Sequence, residues 1–199
     1  MTHRIRLPLL AAALAASVLI TACAPILVGG AVAGGAISYN DRRTTGTQVD
    51  DQGIVLRTGS RIQEALGGRG HVNVNSMNRL VLLTGEVDTE ADKQTAETVA
   101  RGVDTVRSVV NELAVTLPSS VSARSQDTLT TTQVKARLID ATDIQANVVK
   151  VVTERGEVYL MGIVSEREAT RAAEVAAGTK GVRKVVRVFE VVSDADLAR

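Results

Sequence analysis

The sequence predicts an α+β protein that contains two tandem copies of one small domain. Each copy has the element order α-β-β-α-β, with its helices packed on a small three-stranded sheet. Two observations predict this fold class: one hydrophobic pattern occurs twice along the 199-residue chain, and in each copy β-branched runs alternate with segments of helical periodicity. With 45% hydrophobic and 23% charged residues, the composition is that of a globular protein.

The repeat is an internal duplication with an initial offset of 77 residues. The matched pairs are Val72 with Val149, Val74 with Val151, Val81 with Val158, Leu83 with Leu160, Gly85 with Gly162 and Val87 with Val164. From Val106 onward the offset falls to 76. A single one-residue slip over about 45 aligned positions is hard to obtain by chance, so we expect two domains divided near Pro118.

The first 22 residues have the pattern of an export signal. A short basic segment, residues 1–6, precedes the apolar residues 7–20, a stretch shorter than the ~20 residues that a membrane-spanning helix needs. Residues 19–23 resemble the lipobox of bacterial lipoproteins, which implies cleavage before Cys23 and acylation of that cysteine. Ala24, as a residue other than Asp, implies sorting to the outer membrane. The alternative is an ordinary secreted protein with a chance cysteine.

Residues 23–47 are expected to be a lipidated, Gly/Ala-rich tether. Residues 24–39 could lie on the lipid surface or form a close-packed helix, but their glycine content favours a flexible tether, and residues 40–46 have the composition of a solvated linker. The remaining boundaries are a first domain over 48–118, a linker over 119–123, a second domain over 124–193 and a C-terminal tail over 194–199.

In the first copy, hydrophobic periodicity predicts a helix over 54–66, strands over 72–76 and 80–87, a helix over 89–101 and a strand over 106–117. Gly85 and Gly162 end their strands without any glycine-rich phosphate loop. We interpret both glycines as positions where another backbone approaches closely.

In the second copy, Val134 and Leu138 lie four residues apart on one face of a helix predicted over 127–139. Strands over 148–153 and 157–164 flank a hairpin turn that contains Gly156. Ser165 and Glu168 have the spacing of a capping box. They are expected to open a helix that runs to about Ala177, and a final strand covers residues 182–192.

The residue inventory excludes several classes of protein. Cys23 is the only cysteine, and His71 is the only histidine outside the first few residues. Neither an internal disulfide, nor a Cys/His metal site, nor a histidine-based triad can therefore be assembled. Three aromatic residues and a net charge of +1 argue against a nucleic-acid partner. We expect no catalytic residue, no cofactor and no metal.

Two motifs carry a family resemblance. The second strand of each copy ends in Val/Leu-x-Gly-x-Val, and residues 181–185 read Gly-Val-Arg-Lys-Val. Together with the element order, these residues resemble the BON domain, and a lipobox followed by two copies resembles the dual-BON outer-membrane lipoproteins. The likeness is closest over residues 46–51, 151–162 and 164–169. It implies a periplasm-facing protein that binds anionic phospholipid, notably phosphatidylglycerol, and supports outer-membrane integrity, with enrichment at division sites.

The first helix of the second copy is the expected lipid-contact site. At 100° per residue, Leu129 lies about 180° from Leu138 and about 140° from Val134, so it points away from the stripe that packs on the sheet. An outward leucine with basic residues on its flanks could insert into lipid and meet phosphate groups. The candidate lipid-binding residues are Leu129, Thr132, Gln133, Lys135 and Arg137. The alternative is that Leu129 staples the helix N-terminus or packs against the other copy.

Charge distribution favours the second copy for such a contact. Residues 48–118 carry a net charge of −3 and residues 121–199 a net charge of +1, so an anionic surface repels the second copy less. The densest basic cluster consists of Lys180, Arg183, Lys184 and Arg187. It is either a solvated strand edge that charge protects from aggregation or a head-group contact.

The other candidate groups have structural interpretations. Asp50 and Asp51 could bind a cation, but adjacent carboxylates before a helix favour a cap at its N-terminus. His71 lies beside a predicted strand start, and we expect no acidic residue or cysteine near it, which favours a surface or strand-edge role. Four glutamates could include a general acid/base pair, but hairpin turns and helix caps account for them: Glu154, Glu157, Glu166 and Glu168.

We therefore expect a non-enzymatic lipoprotein, anchored through Cys23, that binds anionic phospholipid through its second copy. The alternative is a periplasmic protein-interaction scaffold that assists envelope or β-barrel assembly, with outer-membrane assembly proteins as partners. A hydrolase is the least favoured interpretation.

Overall fold

Both copies of the duplication fold into two helices on one face of a small sheet. The computed structural model describes residues 41–197. Within that range no helix is both long enough and apolar enough to cross a membrane. The expected signal peptide, Cys23 and most of the tether lie outside the described residues.

The first domain contains two helices and four strands. They are α1 (Thr45–Ala65), β1 (His71–Met77), β2 (Leu80–Val87), α2 (Glu90–Arg101), β3 (Ser108–Asn111) and β4 (Ala114–Val115). Strand β2 is central: β1 pairs with it antiparallel, and β3 and β4 pair in parallel with its other edge. The predicted last strand is thus interrupted, because Leu113 turns into the hydrophobic core between the two short segments.

The second domain repeats this arrangement. Its elements are α3 (Val121–Asp140), a short 3-10 helix (Ala146–Val148), β5 (Lys150–Glu154), β6 (Glu157–Val164), α4 (Glu166–Ala177), β7 (Lys184–Val191) and a terminal turn of helix, α5 (Asp194–Leu197). Strand β6 is central, with β5 antiparallel on one side and β7 parallel on the other. The α+β prediction with small three-stranded sheets is confirmed, although in the first domain the third strand is split.

Local chemistry explains where the helices begin. The predicted capping box is present: the Ser165 hydroxyl accepts from the Glu168 N–H, and the Glu168 carboxylate accepts from the Ser165 N–H. Helix α3 begins six residues before its predicted start, because the Ser120 hydroxyl accepts from the Ala123 N–H and caps it. Part of the expected linker over 119–123 is therefore helical.

Two glycines allow a close backbone approach, as predicted. A Cβ atom on Gly85 would lie 2.0 Å from the carbonyl oxygen of His71, and one on Gly162 would lie 2.3 Å from that of Val148. Any other residue would overlap the facing chain at these points.

Each sheet is buried on both faces. One face packs under the domain's own helices, around Leu83 in the first domain and Leu160 in the second. The opposite faces of the two sheets meet in a shared cluster in which Leu82, Tyr159 and Met161 are almost fully buried. The two domains are therefore joined back to back through a common hydrophobic layer.

Candidate functional site

The candidate lipid-contact face lies on the outer side of α3. The buried residues of this helix are Asp127, Thr130, Val134 and Leu138, which face the second domain's core. Leu129 is 56% exposed and points to solvent, as the sequence periodicity predicts. One side of helix α3 thus packs on the core of the second domain, and the opposite, solvent-exposed side carries at least one apolar residue.

Two further apolar side chains extend this free side. Val121 is 73% and Ile139 is 68% exposed. Eighteen residues are five complete turns, so Val121 and Ile139 lie on one line parallel to the axis, about 27 Å apart, and Leu129 lies within about 80° of that line. Neither residue is among the candidates predicted from the sequence, although a spacing of five helical turns places both on one side of the helix. We call Val121, Leu129 and Ile139 the α3 stripe.

The polar candidates surround the α3 stripe unevenly. Thr132 and Gln133 are exposed on either side of Leu129, and the Thr132 hydroxyl donates back to the Thr128 carbonyl at 3.0 Å. Lys135 is exposed and makes no ion pair within residues 41–197. The Arg137 guanidinium donates to the Gly178 carbonyl, so it is partly committed to holding α3 against the end of α4.

The alternative roles considered for Leu129 do not fit the structure. Helix α3 begins at Val121, so Leu129 lies in its third turn and does not staple the N-terminus. With more than half of its surface exposed, Leu129 is not packed against the first domain either. One acidic side chain, Asp140, follows Ile139 at the exposed end of the helix.

The predicted cap role of Asp50 and Asp51 is wrong, because both residues lie inside α1 and Thr44 caps that helix. Asp51 is buried, and its carboxylate accepts hydrogen bonds from the Ser76 hydroxyl at 2.6 Å and from the Arg43 guanidinium at 2.7 Å. Asp50 is more exposed and pairs with Arg79 at 2.7 Å. Both aspartates therefore stabilise the fold, and their hydrogen bonds and ion pairs explain their positions without a bound cation.

Most of the predicted basic cluster is paired within the second domain. Lys184 lies 3.2 Å from the Glu157 carboxylate and Arg187 lies 3.3 Å from that of Glu166, while Arg183 donates to the Arg155 carbonyl. Lys180 is exposed. This pattern favours the interpretation of a charged, solvated edge on strand β7.

The prediction that no acidic residue lies near His71 is wrong. His71 opens β1, and its partner in the antiparallel register is Glu86, with the His71 Nδ1 and a Glu86 carboxylate oxygen 3.4 Å apart. Glu154 of the second domain completes a cluster of three. Hence Glu154 is not accounted for by its hairpin turn. Burial raises its pKa above the ordinary value, against the opposing effect of a hydrogen bond from Asn73.

Ser119, Glu86 and His71 are not connected in the order of a hydrolytic triad. The Ser119 hydroxyl donates to Glu86 Oε1, while His71 faces Glu86 Oε2. In a hydrolytic triad the imidazole lies between the hydroxyl and the carboxylate, so that it can accept the proton of the nucleophile. Here the Glu86 carboxylate lies between the Ser119 hydroxyl and His71, so His71 is not placed to accept the proton of Ser119.

Residues expected to form a solvated linker instead anchor the first helix to the second domain. The Arg42 guanidinium donates to both carboxylate oxygens of Glu168 at 2.8 and 2.9 Å and to the Ile163 carbonyl at 2.7 Å. Residues 41–43 are accordingly only partly exposed. Bidentate arginine–carboxylate pairs have defined geometry, so this segment has a fixed course from Asp41 onward.

Comparisons with known proteins agree with the duplicated architecture. The BON domain model matches residues 50–116 and again residues 126–193. The chain is 37% identical to the outer membrane lipoprotein DolP of Haemophilus influenzae over 183 residues, which cover 91% of this chain and 94% of that protein.

Two other relatives extend the same comparison. The chain is 36% identical to the 21 kDa hemolysin of Actinobacillus pleuropneumoniae, covering 76% of this chain and 79% of that protein. It is 29% identical to the osmotically-inducible protein Y of Escherichia coli, covering 83% and 92%. Since the BON model matches both halves of a fold that repeats α-β-β-α-β, this chain belongs to the BON-domain family.

Proposed function

We propose that this protein is an outer-membrane lipoprotein whose second BON domain contacts anionic phospholipid through the α3 stripe and so supports outer-membrane integrity, including at division sites. The anchor would be Cys23, the cysteine of the predicted lipobox. The similarity to an outer membrane lipoprotein supports a location at the outer membrane. The observation that carries the proposal is the α3 stripe itself: three large apolar side chains, each more than half exposed, on one side of one helix.

Magnitudes indicate what this contact would do. Full burial of one Val, Leu or Ile side chain is worth about 1.5–3 kcal/mol, and each nearby basic side chain adds about 1 kcal/mol at an anionic surface. Acyl chains contribute about 0.8 kcal/mol for every buried CH₂ group and would dominate attachment. The helix contact therefore serves to orient the domain and to select lipid, with Lys135 as the cation that is free to meet a phosphate.

The test separates the helix contact from the anchor. Residues 24–199, which lack Cys23, are sedimented with vesicles of phosphatidylcholine alone and of phosphatidylcholine with phosphatidylglycerol. We expect binding only in the presence of phosphatidylglycerol, and at least tenfold weaker binding for Leu129→Glu and for Lys135→Glu. Equal binding by all proteins, or no dependence on the anionic lipid, would contradict the proposal.

Matched controls come from the same chain. Leu56 is a 73% exposed leucine on the outer side of α1, the equivalent helix of the first domain, and Lys180 is an exposed lysine outside α3. Leu56→Glu and Lys180→Glu change the same kinds of side chain as the test variants and should leave sedimentation unchanged. A loss for these controls would show that net charge alone governs binding.

A second candidate function is a scaffold for proteins that assemble the envelope. It is favoured by α1, where Val49 and Leu56 are 63% and 73% exposed and lie two turns apart on one side of the helix. The first domain is net negative, so an anionic membrane is a poor partner for this surface. Crosslinking from position 56 that recovers one stoichiometric protein, without dependence on lipid, would support this function.

A further inference from the structure

One side-chain cluster at the junction of the two domains remains unexplained by lipid contact. His71 at the start of β1 and Glu86 near the end of β2 come from the first domain, and Glu154 at the end of β5 comes from the second. One ligating atom from each residue lies within 4.8 Å of the other two. Glu86 is fully buried, Glu154 is 7% exposed and the His71 side chain is 31% exposed.

Two atoms of this cluster have unmet polar requirements. His71 Nδ1 and Glu86 Oε2 are both buried and have no hydrogen-bond partner, although only 3.4 Å separates them. A fully buried carboxylate without a compensating cation is strongly destabilising. The arrangement therefore calls for either a metal ion or a proton between these two atoms.

The other carboxylate oxygens are already held in place. The Ser119 hydroxyl donates to Glu86 Oε1, and the Asn73 amide donates to Glu154 Oε2 at 2.7 Å. Each carboxylate thus has one oxygen fixed by a neutral donor, and in Glu86 the other oxygen is left free to face the histidine. Metal-ligating carboxylates are typically oriented by outer hydrogen bonds of this kind.

We propose that His71, Glu86 and Glu154 bind one divalent transition-metal ion of the zinc type at the junction of the two BON domains. Zinc accepts imidazole nitrogen and carboxylate oxygen at about 2.0–2.2 Å, whereas an imidazole ligand disfavours calcium and magnesium. Bonds of that length in a tetrahedron separate neighbouring ligands by about 3.4 Å. The gap between His71 Nδ1 and Glu86 Oε2 already has this value, and Glu154 would close the remaining distance.

This site would connect the domains in addition to their shared hydrophobic layer, because two ligands come from one domain and the third from the other. The partial exposure of His71 provides access for the ion and leaves room for a water molecule as fourth ligand. Neither feature is needed for the proposed lipid contact, which lies on α3. Failure of one proposal would therefore leave the other intact.

The test uses the full chain purified in detergent and zinc competition with a chromophoric chelator. We expect one zinc equivalent to bind, and at least tenfold weaker binding for His71→Gln and for Glu154→Gln. Glu174→Gln, at an exposed position of α4, should bind as the wild type does. Zinc should raise the melting temperature of the wild type and of this control, and magnesium at millimolar concentration should not. Equal zinc binding by all four proteins overturns the proposal, since the ion then lies elsewhere.

A measurement without substitutions guards against variants that fail to fold. The chain has two histidines, so the ring nitrogen resonances of His71 can be resolved by NMR. Stoichiometric zinc should shift the His71 resonances in slow exchange. If they do not respond to zinc, a proton shared within the cluster supplies the positive charge and the metal site does not exist.

Discussion

Asp51 and Asp127 occupy equivalent positions in the two domains, and each carboxylate caps the hairpin turn of its own sheet. The hydrogen bonds run to Asp51 from the backbone N–H groups of Asn78 (2.9 Å) and Arg79 (2.8 Å), and to Asp127 from those of Arg155 and Gly156 (2.7 Å each). All four turn residues have positive φ angles, a conformation that points successive N–H groups toward one acceptor. The duplication has thus preserved a contact between the first helix and the first hairpin.

We expect Asp127→Asn to destabilise the second domain. The amide would place an N–H donor opposite one of the two backbone donors, so at least one charge-assisted hydrogen bond is lost, worth about 1.5–3 kcal/mol. Urea denaturation followed by circular dichroism measures this change in the free energy of unfolding. Asp104→Asn, at an exposed position, is the matched control and should change it by less than about 0.5 kcal/mol.

The free energy of unfolding should decrease as the pH is lowered, because the Asp51 carboxylate becomes protonated. Burial raises the pKa of Asp51, but hydrogen bonds from Ser76, Arg79, Arg43 and Asn78 outweigh it and hold the pKa below its ordinary value. A lowered folded-state pKa contributes stability that is present above the ordinary value of about 3.9 and is lost as the pH falls through the folded-state value. The stability difference between wild type and Asp51→Asn should therefore shrink between pH 7 and about pH 2.5. An unchanged difference would show that the charge of Asp51 is irrelevant.

The layer between the sheets should contribute strongly to stability. Leu82 is fully buried there, and Leu82→Ala should reduce the free energy of unfolding by about 2–5 kcal/mol because it leaves a cavity. Leu117, which is 85% exposed, provides the control Leu117→Ala, with an expected effect below about 0.5 kcal/mol. We also expect the wild type to unfold in one calorimetric transition; two separated transitions would mean that the layer does not couple the domains.

The attachment of the segment before α1 to the second domain should depend on Arg42. Its bidentate pair with Glu168 is only slightly exposed, and hydrogen bonds from Arg42 lower the pKa of Glu168, against the opposing effect of burial. Arg42→Ala should therefore cost about 1.5–3 kcal/mol at neutral pH and less at a pH where Glu168 is protonated. Arg57→Ala, an exposed change on α1, should be nearly neutral. Thermal melts at pH 7 and about pH 3 compare the two variants.

One substitution should strengthen lipid binding. Asp140 is the exposed acidic side chain at the end of α3, close to Ile139 of the α3 stripe, and it should be repelled by an anionic surface. Asp140→Asn should increase co-sedimentation with phosphatidylglycerol vesicles several-fold without affecting stability. A decrease would indicate that the helix approaches the membrane in another orientation.

The interior of each domain could be predicted from its sequence because local patterns and packing agree there. Strands β2 and β6 have the predicted bounds, and α4 begins at the predicted capping box. Hydrophobic periodicity does not predict the early start of α3, because its first turns contain serine, arginine and alanine, which give no hydrophobic period. A serine cap at Ser120 followed by good helix formers was the available indication.

The candidate site was predicted only in part. The outward direction of Leu129 follows from angular spacing within one helix, which needs no tertiary information. The proximity of His71 to Glu154 depends on how two domains pack, and no local pattern encodes it. One indication was present: residues 80–83 and 158–161 are almost unbroken apolar runs, and such runs are typical of strands that are buried on both faces.

The back-to-back joint also determines where this protein can tolerate change. A new side chain at Leu82 or Met161 must suit two partners at once, its own strand and the neighbouring domain, whereas the outer surface of α3 has only its external partner to satisfy. Among relatives that share this duplication, the residues of the inner layer should therefore change slowly, and a substitution in one sheet should be accompanied by a compensating substitution in the other. The outer surface of α3 should vary more between relatives, because it has to match only the membrane or protein that it contacts in each of them.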